Sequence, residues 1–273
     1  MNIFSCPICN EILNNDKKTY SCSNRHTYDI ARSGYVNLLI NQSSGGVHGD
    51  NKLMVNARKM FLDSGYYQQL LKATENTVAS CCKSGMTLLD CGCGEGYYTD
   101  GICKTLLKKF ENVDIFGIDI SKDAIDFASK RCKEARFAVA GVFHLPVLDR
   151  SCDLLLTMFA PYCGEEFQRV LKTNGQMIMV IPGVRHLWEL KQAIYAVPYL
   201  NQVKDYELDG FELQSVEKIS YEIELNSNED IVNLFSMTPY YYKTGKNEQE
   251  KLKLLEKLKT TVEFEIITYA NMC

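Results

Sequence analysis

The chain has 273 residues, a formal net charge of −4, and 46% hydrophobic and 23% charged residues, the proportions of an ordinary globular protein. It has no run of about 18 apolar residues, which excludes a membrane-spanning helix. Because the segment MNIFSCPICNE lacks the basic and apolar regions of a secretory signal, we expect a cytoplasmic protein whose twelve cysteines are mainly free thiols.

Residues 1–39 are predicted to form a small zinc-binding module of short strands and turns. Four potential ligands follow the spacing C-x2-C-x12-C-x3-H, namely Cys6, Cys9, Cys22 and His26. Zinc prefers a tetrahedral set of sulfur and nitrogen ligands, and four protein ligands leave no position open for catalysis. A structural zinc ion would supply folding energy that so small a segment cannot obtain from its core. The alternative is that four unrelated residues share this spacing by chance.

The N-terminal part of the chain is the more basic one. Residues 1–60 contain seven basic and four acidic side chains, a net charge of +3, which leaves −7 for the remaining residues. This asymmetry is in the direction expected if the N-terminal part contacts nucleic-acid phosphates. The candidate phosphate contacts are Arg25, Arg32, Arg58 and Lys59, and a solvated surface is the alternative for each of them.

Residues 40–82 are predicted to connect this module to the rest of the chain. The stretch NQSSGGVHGDN at 41–51 is rich in Gly, Ser and Asn, which predicts a loop or linker. Apolar residues then recur with helical spacing over 52–63 and, after the Ser-Gly pair at 64–65, up to about residue 82.

An α/β domain is predicted over residues 83–273, because short apolar strands alternate with helical segments. Strands separated by helices require right-handed crossovers and form a mainly parallel sheet. The seven predicted strands lie at 87–91, 112–119, 135–141, 152–160, 176–182, 211–225 and 261–270. The predicted helices lie at 94–110, 121–132, 163–171, 186–196, 227–236 and 247–259. The last two helices belong to residues 226–260, which are predicted to be an insertion that covers the substrate.

The segment LLDCGCGEG at 88–96 joins the first of these strands to the helix that follows. Gly92, Gly94 and Gly96 carry no side chain, so the backbone can lie against a ligand, and Asp90 precedes them by two residues. This G-x-G-x-G spacing differs from the G-x-G-x-x-G of dinucleotide-binding loops. It resembles the first motif of class I methyltransferases, which bind S-adenosylmethionine.

An acidic residue ends the second strand of the predicted domain. Asp119, in the segment GIDIS, is placed to accept both ribose hydroxyls of an adenosine. A glycine loop and an acid at this separation together predict a nucleoside-cofactor site. Gly141 and Val142 follow the third strand and are expected beside the adenine, with an ordinary loop as the alternative.

Longer motifs along almost the whole chain resemble one family. They are CPIC…CSNRH, HTYDIARSGYVNLL, GDNKLMVNARKMFLDSGYYQQL, LLDCGCGEGYYT, GIDISKDAI, FAPY, PGVRHLWELK and MTPYYY. In these segments the chain is similar to the bacterial 23S rRNA (guanine-N1-)-methyltransferases of the RlmA type. The resemblance implies a class I, Rossmann-like fold with a seven-stranded, mostly parallel sheet and a small N-terminal zinc-binding domain. It also implies methylation of N1 of a guanine in a 23S rRNA hairpin loop that the zinc module helps to recognise.

The resemblance extends to individual residues and to assembly. It implies that Tyr67, Gly94, Glu95 and His186 contact S-adenosylmethionine. The alternatives are a core aromatic side chain for Tyr67 and a helix-start residue for His186. The resemblance further implies a homodimer whose cleft holds the RNA hairpin.

The residues that act on the substrate carry weaker signals. Guanine N1 carries a proton that must leave, and Glu165 and Glu166, which follow the FAPY segment at the end of the fourth strand, are the candidate bases. The alternative for both is a solvated helix start. Tyr240, Tyr241 and Tyr242 are candidates for stacking on an unpaired base, with core packing as the alternative.

Two other functions are compatible with these motifs. The first is a methyltransferase of small molecules or proteins that carries a structural zinc module. Such an enzyme would have the same cofactor site but would not act on RNA. The second is a non-catalytic protein that binds ribosomal RNA. The intact glycines and Asp119 argue against the second function, because a protein without catalysis has no need of a cofactor loop.

Overall fold

A computed structural model describes residues 2–39, 49–203 and 205–272 of the chain. Residues 41–48 of the predicted linker therefore lie outside the described residues. The strands are β1 (Asn14–Asn15), β2 (Thr19–Ser21), β3 (Thr27–Asp29), β4 (Val36–Asn37), β5 (Thr87–Cys91), β6 (Asp114–Asp119), β7 (Arg136–Val139), β8 (Cys152–Met158), β9 (Leu171–Pro182), β10 (Phe211–Leu225) and β11 (Leu258–Asn271). The helices are α1 (Lys52–Asp63), α2 (Gln68–Cys81), α3 (Tyr97–Lys109), α4 (Lys122–Arg131), α5 (Gly164–Val170), α6 (Trp188–Ile194), α7 (Asn228–Ser236), α8 (Tyr240–Lys243) and α9 (Lys246–Leu252).

The large sheet has the strand order β10-β11-β9-β8-β5-β6-β7-β4. The strands from β9 to β4 are parallel, whereas β11 runs antiparallel to both of its neighbours. This arrangement confirms the predicted seven-stranded, mostly parallel sheet of a Rossmann-like domain. The short strand β4 adds an eighth member at one edge, and it comes from the N-terminal segment rather than from the predicted α/β domain.

The chain order of the sheet reverses beside β5. From β5 the chain moves outward through β6 and β7, then returns to the other side of β5 with β8 and β9. Open α/β sheets bind their ligands at such a switch point, outside the carboxyl ends of the strands. The glycine loop follows β5, Asp119 ends β6, and Gly141 and Phe159 follow β7 and β8. The topology therefore gathers these segments at one edge of the sheet.

The long pairing between β10 and β11 corrects one predicted boundary. The helix predicted at 247–259 ends at Leu252, and β11 already begins at Leu258. The reason is long-range: the ladder pairs Leu225 with Leu258 and continues to the pair Phe211–Asn271. Backbone hydrogen bonds along this ladder outweigh the helical propensity of a few charged residues.

The N-terminal segment packs directly on the sheet of the large domain. The ring of Phe4 meets that of Phe116 edge-on, with centroids 5.2 Å apart. The backbone continues the contact, because Leu148 N–H donates to Ile3 O at 2.9 Å and Ser5 N–H donates to Pro146 O at 2.9 Å. The module is therefore docked on the domain through apolar side chains and main-chain hydrogen bonds. Its boundary at residue 39, and the boundary at residue 82, stay predictions.

Candidate cofactor site and zinc centre

The four predicted zinc ligands converge around His26. The sulfur atoms of Cys6, Cys9 and Cys22 lie 3.4, 3.5 and 3.4 Å from His26 Nδ1, and the sulfurs of Cys9 and Cys22 lie 3.7 Å apart. Tetrahedral zinc with its usual bond lengths requires about 3.6 Å between sulfur and nitrogen and about 3.8 Å between sulfurs. The distances therefore fit a zinc ion held by three thiolates and Nδ1 of the imidazole.

The surroundings of Cys6 favour its thiolate form. Burial alone raises the pKa of Cys6, but hydrogen bonds from the Tyr28 hydroxyl and from the backbone amides of Ile8 and Cys9 outweigh it and lower this pKa to about 6. The Tyr28 oxygen lies 3.1 Å from the Cys6 sulfur. Such outer hydrogen bonds orient metal ligands and stabilise their charge.

The glycine loop follows β5 in a conformation that suits glycine. Gly92, Gly94 and Gly96 all have positive φ angles, of 83°, 56° and 84°. A Cβ at Gly92 would collide with Ala160, and a Cβ at Gly96 would lie 2.8 Å from Ala128 Cα. At Gly94 the nearest atom would be Nη1 of Arg58, 3.8 Å away. Gly92 and Gly96 are thus fixed by packing, whereas a Cβ at Gly94 would meet only the end of the flexible Arg58 side chain, at an ordinary contact distance.

The carboxylate of Asp119 lies at the end of β6, next to this loop. Its Oδ2 accepts from Gly94 N–H at 3.0 Å, and its Oδ1 accepts from Ser121 N–H at 2.8 Å. Burial raises the pKa of Asp119, and these two hydrogen bonds oppose that shift. The loop after β7 lies beside it, since Ala140 N–H donates to Asp119 O at 3.0 Å. Gly141 and Val142 of this loop therefore border the same edge as the acid.

Asp90, at the base of the loop, is buried and shares a hydrogen bond with a residue of α3. Thr99 Oγ1 donates to Asp90 Oδ2 at 2.6 Å. Burial raises the pKa of Asp90 to about 7, against the effect of that hydrogen bond, and the nearby charges of Asp119 and Glu95 add to the rise. A cation at this position would restore the ionised form. The ammonium and sulfonium groups of S-adenosylmethionine are cations of that kind.

Glu95 and Arg58 lie on the outer side of the glycine loop. Glu95 is buried, and its Oε1 lies 3.5 Å from Arg131 Nη2. Burial raises the pKa of Glu95, and the charges of Arg131 and Arg58 oppose this shift. Arg58, expected from the sequence to contact phosphate, forms an ion pair with Asp50 and donates from Nη2 to Met237 O at 3.2 Å. Its guanidinium also lies beside the glycine loop, since Nη1 would be 3.8 Å from a Cβ at Gly94.

Tyr67 and His186 form an aromatic cluster around Phe264. The ring of Phe264 lies 5.0 Å from that of Tyr67 and 4.7 Å from that of His186, centroid to centroid. Among the described residues, the buried Tyr67 hydroxyl has no hydrogen-bond partner, which is costly unless a ligand supplies one. The structure thus brings together two residues that are 119 positions apart in the sequence.

The imidazole of His186 is held in its neutral form. Burial, and secondarily the charge of Lys191, lower the pKa of His186 to about 3. Its Nδ1 accepts from Glu263 N–H at 3.4 Å, so the proton of the neutral ring lies on Nε2. The side chain can therefore donate one hydrogen bond at neutral pH without carrying a charge.

These features fit S-adenosylmethionine. Gly94 has no side chain to keep a ligand from its backbone, and Asp119 offers oxygens to a ribose. Asp90 offers a site for positive charge, and the Tyr67 hydroxyl needs a partner. Sequence reasoning did not identify Thr99 or the position of Arg58 beside the loop. The period of α3 could have suggested Thr99, whereas nothing in the local sequence indicates the pairing of Arg58 with Asp50.

The two candidate bases differ in their surroundings. Glu166 pairs with Arg169 at 2.8 Å and accepts from Leu145 N–H. Burial raises the pKa of Glu166, but the hydrogen bonds from Arg169 and Leu145 outweigh it and lower this pKa. Such a carboxylate joins α5 to the loop between β7 and β8, which favours a structural role. Glu165 is exposed in the first turn of α5.

The remaining candidates for RNA contact are distributed over the surface. Arg25 and Arg32 are exposed on the zinc module, and Lys59 forms an ion pair with Asp63 at 2.7 Å on α1. Of the three tyrosines, Tyr242 is 60% exposed, and its hydroxyl accepts from Asn51 Nδ2 at 3.2 Å.

The other two tyrosines have packed surroundings. Tyr240 packs with its ring 5.2 Å from the ammonium of the buried Lys191. Tyr241 lines a groove of about 710 Å³ between α1, α7 and α9, and its ring lies 6.2 Å from that of Phe235. Core packing therefore describes Tyr240 better than it describes Tyr242.

Comparison with known proteins identifies both parts of the chain. Residues 4–43 match the family model described as "RlmA, N-terminal", a zinc ribbon, and residues 82–255 match that of a "Methyltransferase domain". The YcgJ protein of Bacillus subtilis has a similar fold, with a TM-score of 0.51 at 14% identity over 75% of this chain and 98% of that one. No helix in the described part of this chain is both long and apolar enough to cross a membrane.

Two curated relatives cover large parts of the sequence. A Bacillus subtilis (strain 168) protein named "Putative 23S rRNA (guanine-N(1)-)-methyltransferase YxjB" is 31% identical over 97% of this chain and 96% of its own length. The 23S rRNA (guanine(748)-N(1))-methyltransferase of Streptomyces fradiae is 34% identical over 69% of this chain and 66% of its own length. The chain therefore belongs to the family of 23S rRNA (guanine-N1-)-methyltransferases, with an N-terminal zinc ribbon and a methyltransferase domain that uses S-adenosylmethionine.

Proposed function

We propose that this protein transfers a methyl group from S-adenosylmethionine to N1 of a guanine in a hairpin loop of 23S ribosomal RNA. The observations that carry the proposal are the hydrogen bond between Gly94 and Asp119 and the ring contact between Tyr67 and His186, in a chain that also holds a three-cysteine, one-histidine zinc centre. The names of the two curated relatives support the choice of substrate.

Each cofactor contact has a separate chemical task in this proposal. Asp119 accepts the ribose hydroxyls, while Gly141 and Val142 border the adenine. Gly92 and Gly96 hold the loop in shape, Gly94 and Glu95 lie along the methionine portion, and Asp90 favours its positive charge. Tyr67 and His186 each donate one hydrogen bond, since neither side chain is charged at neutral pH.

The reaction needs alignment more than activation. S-adenosylmethionine supplies a methyl group that already carries a good leaving group, so the protein must hold the guanine nitrogen in line with it. The proton on guanine N1 leaves before or during transfer. Glu165 stays the candidate acceptor, because it is exposed beside the carboxyl end of β8, whereas Glu166 is engaged by Arg169.

The zinc module is proposed to help bind the RNA rather than to take part in the chemistry. Its four ligands leave no coordination position for substrate. Exposed Arg25 and Arg32 would contact phosphates, and Tyr242 offers an exposed ring beside α1. A cytoplasmic location and a homodimer whose cleft holds the hairpin belong to the same proposal.

The test uses zinc-loaded protein, labelled S-adenosylmethionine and unmodified 23S rRNA, followed by reverse transcription. Methylation at N1 blocks the Watson–Crick edge, so we expect a new stop at one guanine and 1-methylguanosine in the digest. The Asp119→Ala variant is the control for dependence on the cofactor. Label on a small molecule or a protein would favour the alternative methyltransferase function, and RNA binding without label transfer would favour the non-catalytic one.

A further inference from the structure

Phe159 occupies an unusual position at the ligand edge of the sheet. It is the residue directly after β8, its φ angle is 56°, and its side chain is 46% exposed. A left-handed backbone conformation costs a residue with a side chain on the order of 1 kcal/mol. A large apolar ring also gains little by lying in water. Two unfavourable features therefore coincide in one residue.

The surrounding structure holds this conformation in place. Phe159 N–H donates to Val180 O at 3.1 Å, which ties the residue to the end of β9. Its neighbour Ala160 lies so close to Gly92 that a side chain at position 92 would collide with it. The segment after β8 therefore lies directly against the cofactor loop. Strained residues that are fixed in this way cluster at binding and active sites.

The ring of Phe159 also borders the aromatic cluster of the cofactor site. Its centroid lies 5.7 Å from that of Phe264, at an interplanar angle of 55°. Phe264 in turn contacts both Tyr67 and His186, the proposed partners of the cofactor. One side of the Phe159 ring thus belongs to this cluster, and the remainder is open to solvent.

We propose that Phe159 is the stacking platform for the target guanine, an inference that rests on the proposed function. A purine lying on this ring would be next to the cofactor loop, at the carboxyl end of β8, where N1 can approach the methyl group. Stacking of a base on an aromatic side chain contributes about 1–3 kcal/mol and needs an exposed ring face. The left-handed backbone turns the ring outward instead of continuing the strand.

Three tyrosines near the cofactor site or in the predicted insertion are less available than Phe159. Tyr240 lies over the Lys191 ammonium, and its hydroxyl lies 3.4 Å from Asn201 Oδ1. Tyr67 is buried beneath Phe264. Tyr242 is exposed, but its hydroxyl accepts from Asn51 Nδ2 near the start of α1. Of these four aromatic residues, Phe159 is the one that combines an exposed ring with a place in the segment that packs on Gly92.

The test compares Phe159→Leu, Phe159→Gly and Phe159→Trp in zinc-loaded protein. We measure kcat and KM for a 23S rRNA hairpin and the Kd for S-adenosylhomocysteine. Phe159→Leu should lower kcat/KM by about 10- to 100-fold, the equivalent of the stacking free energy, with the Kd unchanged within about twofold. Phe159→Trp, which keeps an aromatic face, should retain most of the activity.

Phe159→Gly separates stacking from folding. Glycine accepts a positive φ without strain, which offsets part of the loss of the ring contact with Phe264, so this variant should have a Tm close to that of Phe159→Leu and lose as much activity. Leu107→Ala, which removes a 44% exposed apolar side chain from α3, is the matched control and should change none of these values.

A second readout is a hairpin with 2-aminopurine at the target position, whose fluorescence should change on binding to wild type but not to Phe159→Leu.

The outcomes distinguish this inference from the proposed function. If wild type produces 1-methylguanosine and Phe159→Leu is equally active, the stacking role is wrong and the function stands. If Phe159→Leu loses activity only in proportion to its cofactor affinity or Tm, the role is also wrong. If wild type leaves no 1-methylguanosine in the RNA, the proposed function fails and the stacking role fails with it.

Discussion

The zinc module and the methyltransferase domain are stabilised by different means. The module has strands of two or three residues, and its organising feature is the convergence of three sulfurs on His26 Nδ1. The domain has strands of up to fifteen residues and fully buried side chains on both faces of its sheet, such as Leu88 and Leu89. Metal coordination replaces a hydrophobic core where the chain is too short to build one.

The two regions also differ in how their functional residues affect the stability of the fold. In the domain, the residues that shape the cofactor edge are also costly for the fold, because Asp90 is buried as an acid and the glycine loop has positive φ angles. In the module, the ligands serve folding alone. The two regions nevertheless share one apolar cluster, which includes Phe4 and Phe116, so loss of the module also exposes part of the sheet.

The largest expected effect is loss of the metal through Cys22→Ser. Structural zinc sites contribute on the order of 10 kcal/mol of apparent binding free energy, so the module should unfold. Elemental analysis should fall from one zinc per chain to none, and RNA binding should be lost, while calorimetry still detects S-adenosylhomocysteine. Cys81→Ser, at the end of α2, is the control. Retention of zinc by Cys22→Ser would exclude the proposed ligand set.

Two glycine substitutions distinguish packing from ligand space within the domain. At Gly96 a Cβ would lie 2.8 Å from backbone, so Gly96→Ala should lower the free energy of unfolding by about 3 kcal/mol from strain and overpacking. A Cβ at Gly94 would meet only the end of the flexible Arg58 side chain, 3.8 Å away, so Gly94→Ala should cost about 1 kcal/mol and mainly weaken cofactor binding. Denaturant unfolding and calorimetry measure the two effects. Equal effects of both substitutions would contradict the assigned roles.

Asp90→Asn tests whether the buried carboxyl group of the cofactor site lowers the free energy of unfolding of the domain. The pKa of Asp90 is raised to about 7, so the unfolded chain loses its proton near pH 4 and the folded chain only near pH 7. The folded state therefore loses stability as the pH rises through this window. At pH 8 the variant without cofactor should be more stable, on the order of 2 kcal/mol, with weaker S-adenosylmethionine binding. If Asp90→Asn is less stable than wild type at pH 8 and binds S-adenosylmethionine with unchanged affinity, the assignment of Asp90 to the cofactor site is contradicted.

His186 gives a smaller predicted effect than Asp90, with the opposite pH dependence. Its pKa is lowered to about 3, so below pH 6.5 the unfolded chain takes up a proton that the folded chain excludes. Stability should therefore fall as the pH decreases from 6.5 towards 3, by about 1–2 kcal/mol at pH 5. His186→Gln should flatten this part of the stability profile. A profile that the substitution leaves unchanged would mean that His186 is not buried as a neutral group.

Local sequence patterns were sufficient for the features that depend on neighbours in the chain. The zinc spacing and the glycine loop are each complete within a short segment, and alternation of apolar runs located the seven strands of the domain. Asp119 was identified because a strand end follows directly from the same pattern. Family resemblance, rather than spacing, indicated Tyr67 and His186, which the fold joins through Phe264.

The features that the sequence did not reveal depend on contacts between distant segments. The eighth strand, Val36–Asn37, is too short for any periodicity and exists because it pairs with β7. The ion pair of Arg58 with Asp50, and the start of β11 at Leu258, result from packing and from a ladder with a distant strand. The positive φ of Phe159 likewise depends on Val180 and on the closeness of Gly92 to Ala160.

The most direct test of the account is calorimetry of S-adenosylhomocysteine binding to zinc-loaded wild type and Asp119→Ala. Wild type should bind with one site per chain, and loss of the hydrogen bonds between the carboxylate and the ribose should weaken binding by at least about tenfold, since such bonds contribute about 1.5–3 kcal/mol. A wild-type protein without affinity for this compound, or a variant with the wild-type Kd, would contradict the assignment of the sheet edge as the cofactor site.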